Sequence, residues 1–293
     1  MTTPSTATPS TAFAALTPLL FVVLWSTGFI GARLGLPACE PLTLLSLRFG
    51  AVLLVMGPIA VLTRAPWPRT WQAAAHIAVS GLLVHAVYLG GVFTAIRLGL
   101  PAGVTALVVG LQPALTALGA GLFLRERVRA TQWAGLALGL VGVVLVVAHK
   151  VAGGAAASLV APAVLALLGI TAGTLYQKRF CPAFDLRTGS LIQFLPCLLA
   201  TALVARHTET MAVHWTPAFV FALAWLVLVL SVGAVSLLNV LIRSGSAVNV
   251  ASLFYLTPPV TALIAWAMFG ETLTGLALAG MALAVLGVWL ARK

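Results

Sequence analysis

LQPALTALGAGLFLRERVRATQWAGLALGLVGVVL, residues 111–145, and LTPPVTALIAWAMFGETLTGLALAGMALAVLGVWL, residues 256–290, decide the fold. Laid over each other at a shift of 145 residues, they need no gap. Leu111, Pro113, Thr116, Ala117, Leu118, Ala120 and Glu126 fall on Leu256, Pro258, Thr261, Ala262, Leu263, Ala265 and Glu271. Gly135, Ala137, Leu138, Gly142, Val143 and Leu145 then fall on Gly280, Ala282, Leu283, Gly287, Val288 and Leu290. Shared Leu and Ala are common in apolar sequence, but a Pro and a Glu at one unchanged spacing mark an internal repeat. Working backwards, the same shift pairs Gly28 with Gly173, Arg33 with Lys178, and Arg48-Phe49 with Gln193-Phe194.

Composition says what solvent the repeat lives in. Of 293 residues, 61% are hydrophobic and 7% charged, against about 25% charged in a soluble domain. No soluble core absorbs that much apolar surface. A bilayer span needs about 20 mostly apolar residues. Apolar runs between charged or proline-marked breaks fall at 14–34, 41–62, 72–97, 102–124, 131–148, 159–179, 188–206, 217–242, 247–269 and 275–291. The expectation is an all-α integral membrane protein whose ten transmembrane helices form two inverted five-helix repeats. Residues 1–13 are expected to be a disordered cytoplasmic segment, 14–148 the first repeat, 149–158 a connecting periplasmic loop and 159–293 the second repeat. Residues 1–10 carry no Lys or Arg, so they lack the basic region of a secretory signal and the first helix is expected to be kept.

The basic residues set the orientation. With the N-terminus on one side, that side also receives Arg64, Arg69, Arg125, Arg127, Arg129, Lys178, Arg179, Arg187, Arg243, Arg292 and Lys293, and the other receives Arg33, Arg97, Lys150 and Arg206. This asymmetry places both termini in the cytoplasm of a plasma-membrane protein. An odd number of helices per unit makes the second copy enter from the opposite face. The loop charges agree, because Arg125, Arg127 and Arg129 become Gly270, Thr272 and Thr274. A net charge of +11 invites nucleic acid as a partner, but the cations are scattered with no basic stripe, so none is expected. Cys39, Cys181 and Cys197 show no metal-ligand spacing, and no metal or cofactor is expected.

A duplicated five-helix unit of this length, with Trp25-Ser26 in the first helix, Arg48-Phe49 in the second, and Pro then Glu in the fourth and ninth, resembles the drug/metabolite transporter superfamily. It looks most like EamA-type metabolite exporters and YddG-like aromatic amino acid exporters. The resemblance implies a basket in which helices 1, 3, 4, 6, 8 and 9 surround a central cavity and helices 5 and 10 lie outside. It also implies inner-membrane export of small metabolites.

The chemistry inside the spans is sparse. Glu40, Glu126, Asp185, Glu209 and Glu271 all lie near helix ends, which speaks against carboxylate-driven cation antiport. Glu126 and Glu271 are expected to cap the helix that follows each. His85 and Tyr88 sit one helical turn apart and are expected to share a face, offering donor, acceptor and aromatic surface to a solute, or else to satisfy a neighbouring helix. Trp25, Gln112, Tyr176, Asn239, Ser252 and Tyr255 are further candidates for substrate contact. Pro113 and Pro258 are mid-helix prolines that either hinge or statically bend their helices. Arg48 either binds a carboxylate or is structural. Small residues such as Gly135, Gly139, Gly142, Gly280 and Gly287 imply close contacts in the peripheral hairpins, with a monomer or homodimer both open.

The residues therefore point to a secondary-type exporter of small neutral or zwitterionic metabolites, amino acids and aromatic ones first, working by alternating access and without a coupling carboxylate. A drug or organic cation exporter is the alternative within transporters. A membrane enzyme would need a nucleophile–base pair or metal cluster, and no HExxH or GxSxG occurs.

Overall fold

The computed structural model describes residues 11–100, 105, 108–147, 157–181, 183–270 and 273–292. Glu271, residues 1–10 and most of the connecting segment 149–158 lie outside them. The helices are α1 (Thr11–Gly35), α2 (Pro41–Leu62), α3 (Trp71–Gly81 and Tyr88–Arg97, joined by a π-helical stretch Leu82–Val87), α4 (described over Gln112–Gly119 and a π-helical Ala120–Leu124), and α5 (Ala130–Val147). They continue as α6 (Ala157–Phe180), α7 (Leu186–Thr208), α8 (Pro217–Trp225 and Val235–Ser244, joined by a π-helical Leu226–Ala234), α9 (Ala247–Ser252, a 3-10 turn Leu253–Leu256, then Thr257–Phe269), and α10 (Gly275–Ala291). α1 begins at Thr11, inside the segment expected to be unstructured, because Ala12 and Phe13 continue its apolar run.

Local chemistry places the helix starts. Thr70, Asp185, Thr216, Ser246 and Thr274 each accept from a backbone N–H of the first turn of α3, α7, α8, α9 and α10, which satisfies donors that the helix itself leaves orphaned. Pro41 occupies the first turn of α2, where a missing N–H costs nothing. Among the described residues, six helices are long and apolar enough to cross a membrane, and four further apolar helices are shorter. Large apolar side chains such as Leu54, Leu62, Leu122, Phe123 and Val285 point outward. This is the outside of a multi-pass membrane protein, since in water it would be an aggregation surface.

The helix contacts come in pairs that exchange under the 145-residue shift. α5 packs along α10 and α2 along α7, two pairs that map onto themselves. Contacts of α3 with α6 and of α4 with α6 are matched by α8 with α1 and α9 with α1. The α5–α10 contact is backbone on backbone. A Cβ added at Gly142 would lie 2.5 Å from the Ala284 nitrogen, and one at Gly287 would meet the nitrogen of Gly139. The small residues thus serve the close helix contact that the sequence implied, and that contact joins α5 to α10.

Acidic groups hold the helix ends. Glu209, after α7, accepts from Leu42 N at 2.8 Å, Thr43 N at 2.7 Å and the Thr43 hydroxyl at 2.7 Å, and so caps α2. Glu40 answers by accepting from the backbone and hydroxyl of Thr210 at 2.6 and 2.7 Å. Glu126 was expected to cap α5. Its Oε1 instead faces Ala247 N at 3.3 Å, at the start of α9, because the loop folds across to the other half. Asp185 starts α7 and takes a two-pronged hydrogen bond from the Arg187 guanidinium at 2.7 and 3.0 Å, which holds its carboxyl below the usual carboxylate range.

Two expectations follow. Gly142→Ala should lower stability in detergent by about 1–3 kcal/mol through overpacking. Gly57→Ala, where an added methyl meets nothing within 4 Å, should leave it unchanged; melting followed by intrinsic fluorescence distinguishes the two. Because the Asp185 carboxyl is depressed in the folded state, its contribution is present above the ordinary carboxyl pKa of about 3.9 and is lost as pH falls through the lower folded value. Asp185→Asn should therefore flatten the loss of stability between roughly pH 5 and pH 2, measured as melting temperature against pH.

Candidate functional site

The departures from α-helix concentrate where the halves face each other. The π-helical stretch of α3, residues 82–87, has mates at 227–232, inside the π-helical stretch of α8. In α4 the helix is interrupted by a turn at Gly110 and Leu111, and in α9 the mates of residues 108–111 form the 3-10 turn Leu253–Leu256. Pro113 and Pro258 follow these interruptions, in the first turn of a new α segment. They were expected inside continuous helices. The structure breaks the helix before each, which removes the clash and the lost hydrogen bond of an interior proline.

A narrow cleft sits among four helices, lined by Trp25 of α1, Tyr88 and Val92 of α3, Thr105, Val109 and Gly110 of the α4 region, and Phe254, Thr257 and Pro258 of α9. One end is closed by rings. Trp25 stacks on Tyr88 at 6.4 Å and meets Phe254 edge-on at 5.5 Å, and Phe21 supports both Trp25 and Phe254 at 5.2 and 5.4 Å. Val92 and Thr105 carry the lining toward the ends of the helices remote from the start of α1. Apolar walls with a few hydroxyls and a broken-helix backbone suit a small solute that is partly aromatic or aliphatic.

A profile of the EamA-like transporter family matches residues 12–148 and again residues 158–292. The chain belongs to the EamA-like transporter family. Among its relatives are a "Probable amino-acid metabolite efflux pump" of Salmonella typhimurium, 30% identical with 93% of this chain and 92% of the relative covered, and a "Probable terminal-alkyne amino-acid exporter" of Streptantibioticus cattleyicolor, 29% identical with 94% and 92% covered. The "Uncharacterized inner membrane transporter YedA" of Escherichia coli is 27% identical over 86% and 81% of the two chains. A solved crystal structure of a protein shares the fold at a TM-score of 0.78, with 20% identity and 95% and 96% of the two chains covered.

Within this EamA-like chain the expected site residues separate. Trp25, Tyr88 and Pro258 line the cleft. His85 does not share their face. The wider π turn rotates each residue less about the axis than an α turn does, so His85 turns away and stacks on Phe194 of α7 at 4.6 Å. Tyr255, with no exposed surface, packs against α5, where its ring would meet any Cβ at Gly139. The Tyr176 hydroxyl lies 2.6 Å from His76 Nδ1 near the end of α6, and its ring packs on Phe180. The Gln112 amide donates to Thr116 one turn on at 3.1 Å, and Ser252 donates to the Asn249 carbonyl at 2.9 Å. Neither is among the cleft-lining residues.

Asn239 belongs to a buried amide chain. Gln193 of α7 donates to Ser80 of α3 at 3.2 Å and reaches Gln177 of α6 at 3.5 Å, and Gln177 donates to Asn239 of α8 at 2.7 Å. His85 Nε2, Gln193 Oε1 and Asn239 Nδ2 lie buried beside it without a partner. Arg48 is 4% exposed, and its Nε donates to Ser231 of α8 at 2.8 Å. The wall residues Phe254, Val109, Gly110 and Thr105 escaped the sequence reading. Phe254 could have been found, being four residues before Pro258 on a helix expected to face the cavity.

Replacing His85 by Ala should remove the stack on Phe194 and cost roughly 0.5–1.5 kcal/mol beyond the lost area, read as a lower melting temperature. Phe254→Ala removes the ring contacts to Phe21 and Trp25 and should both lower the melting temperature and weaken solute binding, read by quenching of intrinsic tryptophan fluorescence on titration.

Proposed function

We propose that this EamA-like transporter exports small neutral or zwitterionic metabolites, amino acids and their close analogues first and aromatic ones among them, across the inner membrane. The single observation that carries this reading is the aromatic-floored cleft between α1, α3, α4 and α9. The names of two relatives, an amino-acid metabolite efflux pump and a terminal-alkyne amino-acid exporter, point to the same solute class. The inner membrane follows the name of a third.

In this reading the chain makes ten spans as two inverted units, 14–148 and 159–293, with both termini cytoplasmic. The double family match and the exchange of helix contacts under the shift support it. Solute moves by alternating access, the halves turning so that the cleft opens to one side and then the other. In this reading the cleft serves the outer side, since Val92 and Thr105 of its lining lie nearer the outer helix ends than Trp25 and Tyr88 do. The ring floor and the amide chain from Ser80 to Asn239 close the cytoplasmic half. Trp25 and Tyr88 are the side chains that hold solute, and the helix breaks before Pro113 and Pro258 are the hinges.

The described carboxylates all serve helix ends, leaving none at mid-membrane to carry a coupling proton. The transporter therefore runs as a uniporter down the outward gradient. In proteoliposomes loaded with aromatic amino acids, efflux should follow the solute gradient and not an imposed pH gradient. Flux driven by pH alone would overturn the uniport. Trp25→Ala should lower flux about tenfold, as losing an aromatic contact worth roughly 1.4 kcal/mol implies; unchanged flux removes the ring floor from the pathway.

A further inference from the structure

Arg48 is a full positive charge deep in the helix bundle, at 4% exposure. A guanidinium offers five N–H donors, and the hydrogen bond it makes here is Nε to the Ser231 hydroxyl at 2.8 Å. Snorkelling would put its head at the membrane rim, exposed, and it is not. No described carboxylate opposes it. Glu209 caps α2, Glu40 holds Thr210, Glu126 meets Ala247, and Asp185 pairs with Arg187. A buried cation with no anion is costly unless something opposes its charge.

The repeat shows what the position needs for structure alone. The mate of Arg48 is Gln193, and each ties its helix to the corresponding partner: Arg48 joins α2 to α8 through Ser231, and Gln193 joins α7 to α3 through Ser80. In the second half a neutral amide makes that tie. The charge in the first half is therefore surplus to it. Tyr88, whose ring lines the cleft, begins the segment of α3 that packs against α2, the helix that carries Arg48.

We infer that Arg48 is the charge partner of a carboxylate on the transported solute, so that the pathway is built for carboxylate-bearing solutes and against organic cations. This rests on the reading of the cleft as the solute pathway, and it names the group by which the solute is chosen. A guanidinium fork matches a carboxylate in plane and charge. The aromatic floor would then take the side chain while the field of Arg48 draws the carboxylate toward α2.

The test compares solutes that differ only in the charged group. Reconstituted wild-type protein is offered phenylalanine against phenylalaninamide, and 3-phenylpropionate against 3-phenylpropionamide. The acid of each pair should be moved about tenfold faster at low concentration, the scale of a hydrogen bond to a charged group. Arg48→Gln, which installs the residue of the second half, should raise the KM for the acid about tenfold and abolish the preference, with the amide little affected. Arg48→Lys should keep part of the preference, because the charge remains and the fork does not. Amides moved as well as acids by wild type, or Arg48→Gln retaining the KM and the preference for acid, would overturn the inference. If the variant fails to fold, the wild-type pairs decide alone. Transport of phenylpropionate over its amide with no amino acid transported would sink the amino-acid reading and leave this one standing. Transport of no carboxylate at all would end it.

Discussion

In the middle of a bilayer no water stands ready to satisfy a polar group, so each one must find its partner inside the protein. Most of this molecule follows from that constraint. The described carboxylates sit at helix ends, where orphaned N–H groups and hydroxyls need acceptors, and three of them reach across to the other half of the chain to find one. The interior amides join hand to hand across α3, α6, α7 and α8. Of the buried polar atoms that keep no partner, His85 Nε2, Gln193 Oε1 and Asn239 Nδ2 belong to this amide chain or border it, and others, among them Gln112 Oε1, Thr171 Oγ1, Tyr255 OH and Thr257 Oγ1, are spread over α4, α6 and α9.

The architecture divides labour between the halves in a way that uses likeness for shape and difference for chemistry. α5 and α10 meet through glycines on both sides, and the same shift carries one partner of each main helix contact onto another. Yet Tyr88 answers to Gly233, His85 to Leu230, Trp25 to Ile170 and Arg48 to Gln193. The aromatic and charged side chains near the cleft come from the first copy, except Phe254 of α9, which answers to Val109 on the facing wall.

The helices were legible in the sequence because their signals are long: twenty-residue apolar runs, with Thr, Ser or Asp before several starts and Pro in others. The described boundaries of α2, α3 and α10 follow those runs to within a residue. The repeat was legible from Pro113, Glu126 and their mates. What the sequence could not display was local winding. A face assignment such as His85 with Tyr88 assumes the α period, and nothing in the letters LLVHAV announces that it lapses there. Tyr255 failed for a related reason, since a 3-10 turn carries it to the α5 side while neighbouring Phe254 meets the cleft. Trp25 and Tyr88 do line the cleft, since large aromatic groups at mid-span have few other places to go. Arg48 was read as either structural or functional, and no sequence pattern shows that its Nε meets the Ser231 hydroxyl of α8 or that the described carboxylates lie elsewhere.

The paired π stretches of α3 and α8 also fix how the two sequences can be read against each other. A π turn holds more residues than the α turn it replaces, so a wide turn in one stretch alone would leave the side chains beyond it out of phase with their mates. The shift stays at 145 residues on both sides of residues 82–87 and 227–232, from Gly28 and Gly173 to Leu145 and Leu290. Side chains on either side of the two wide turns therefore keep matching positions, and the differences between Tyr88 and Gly233 and between His85 and Leu230 are differences of chemistry at like places.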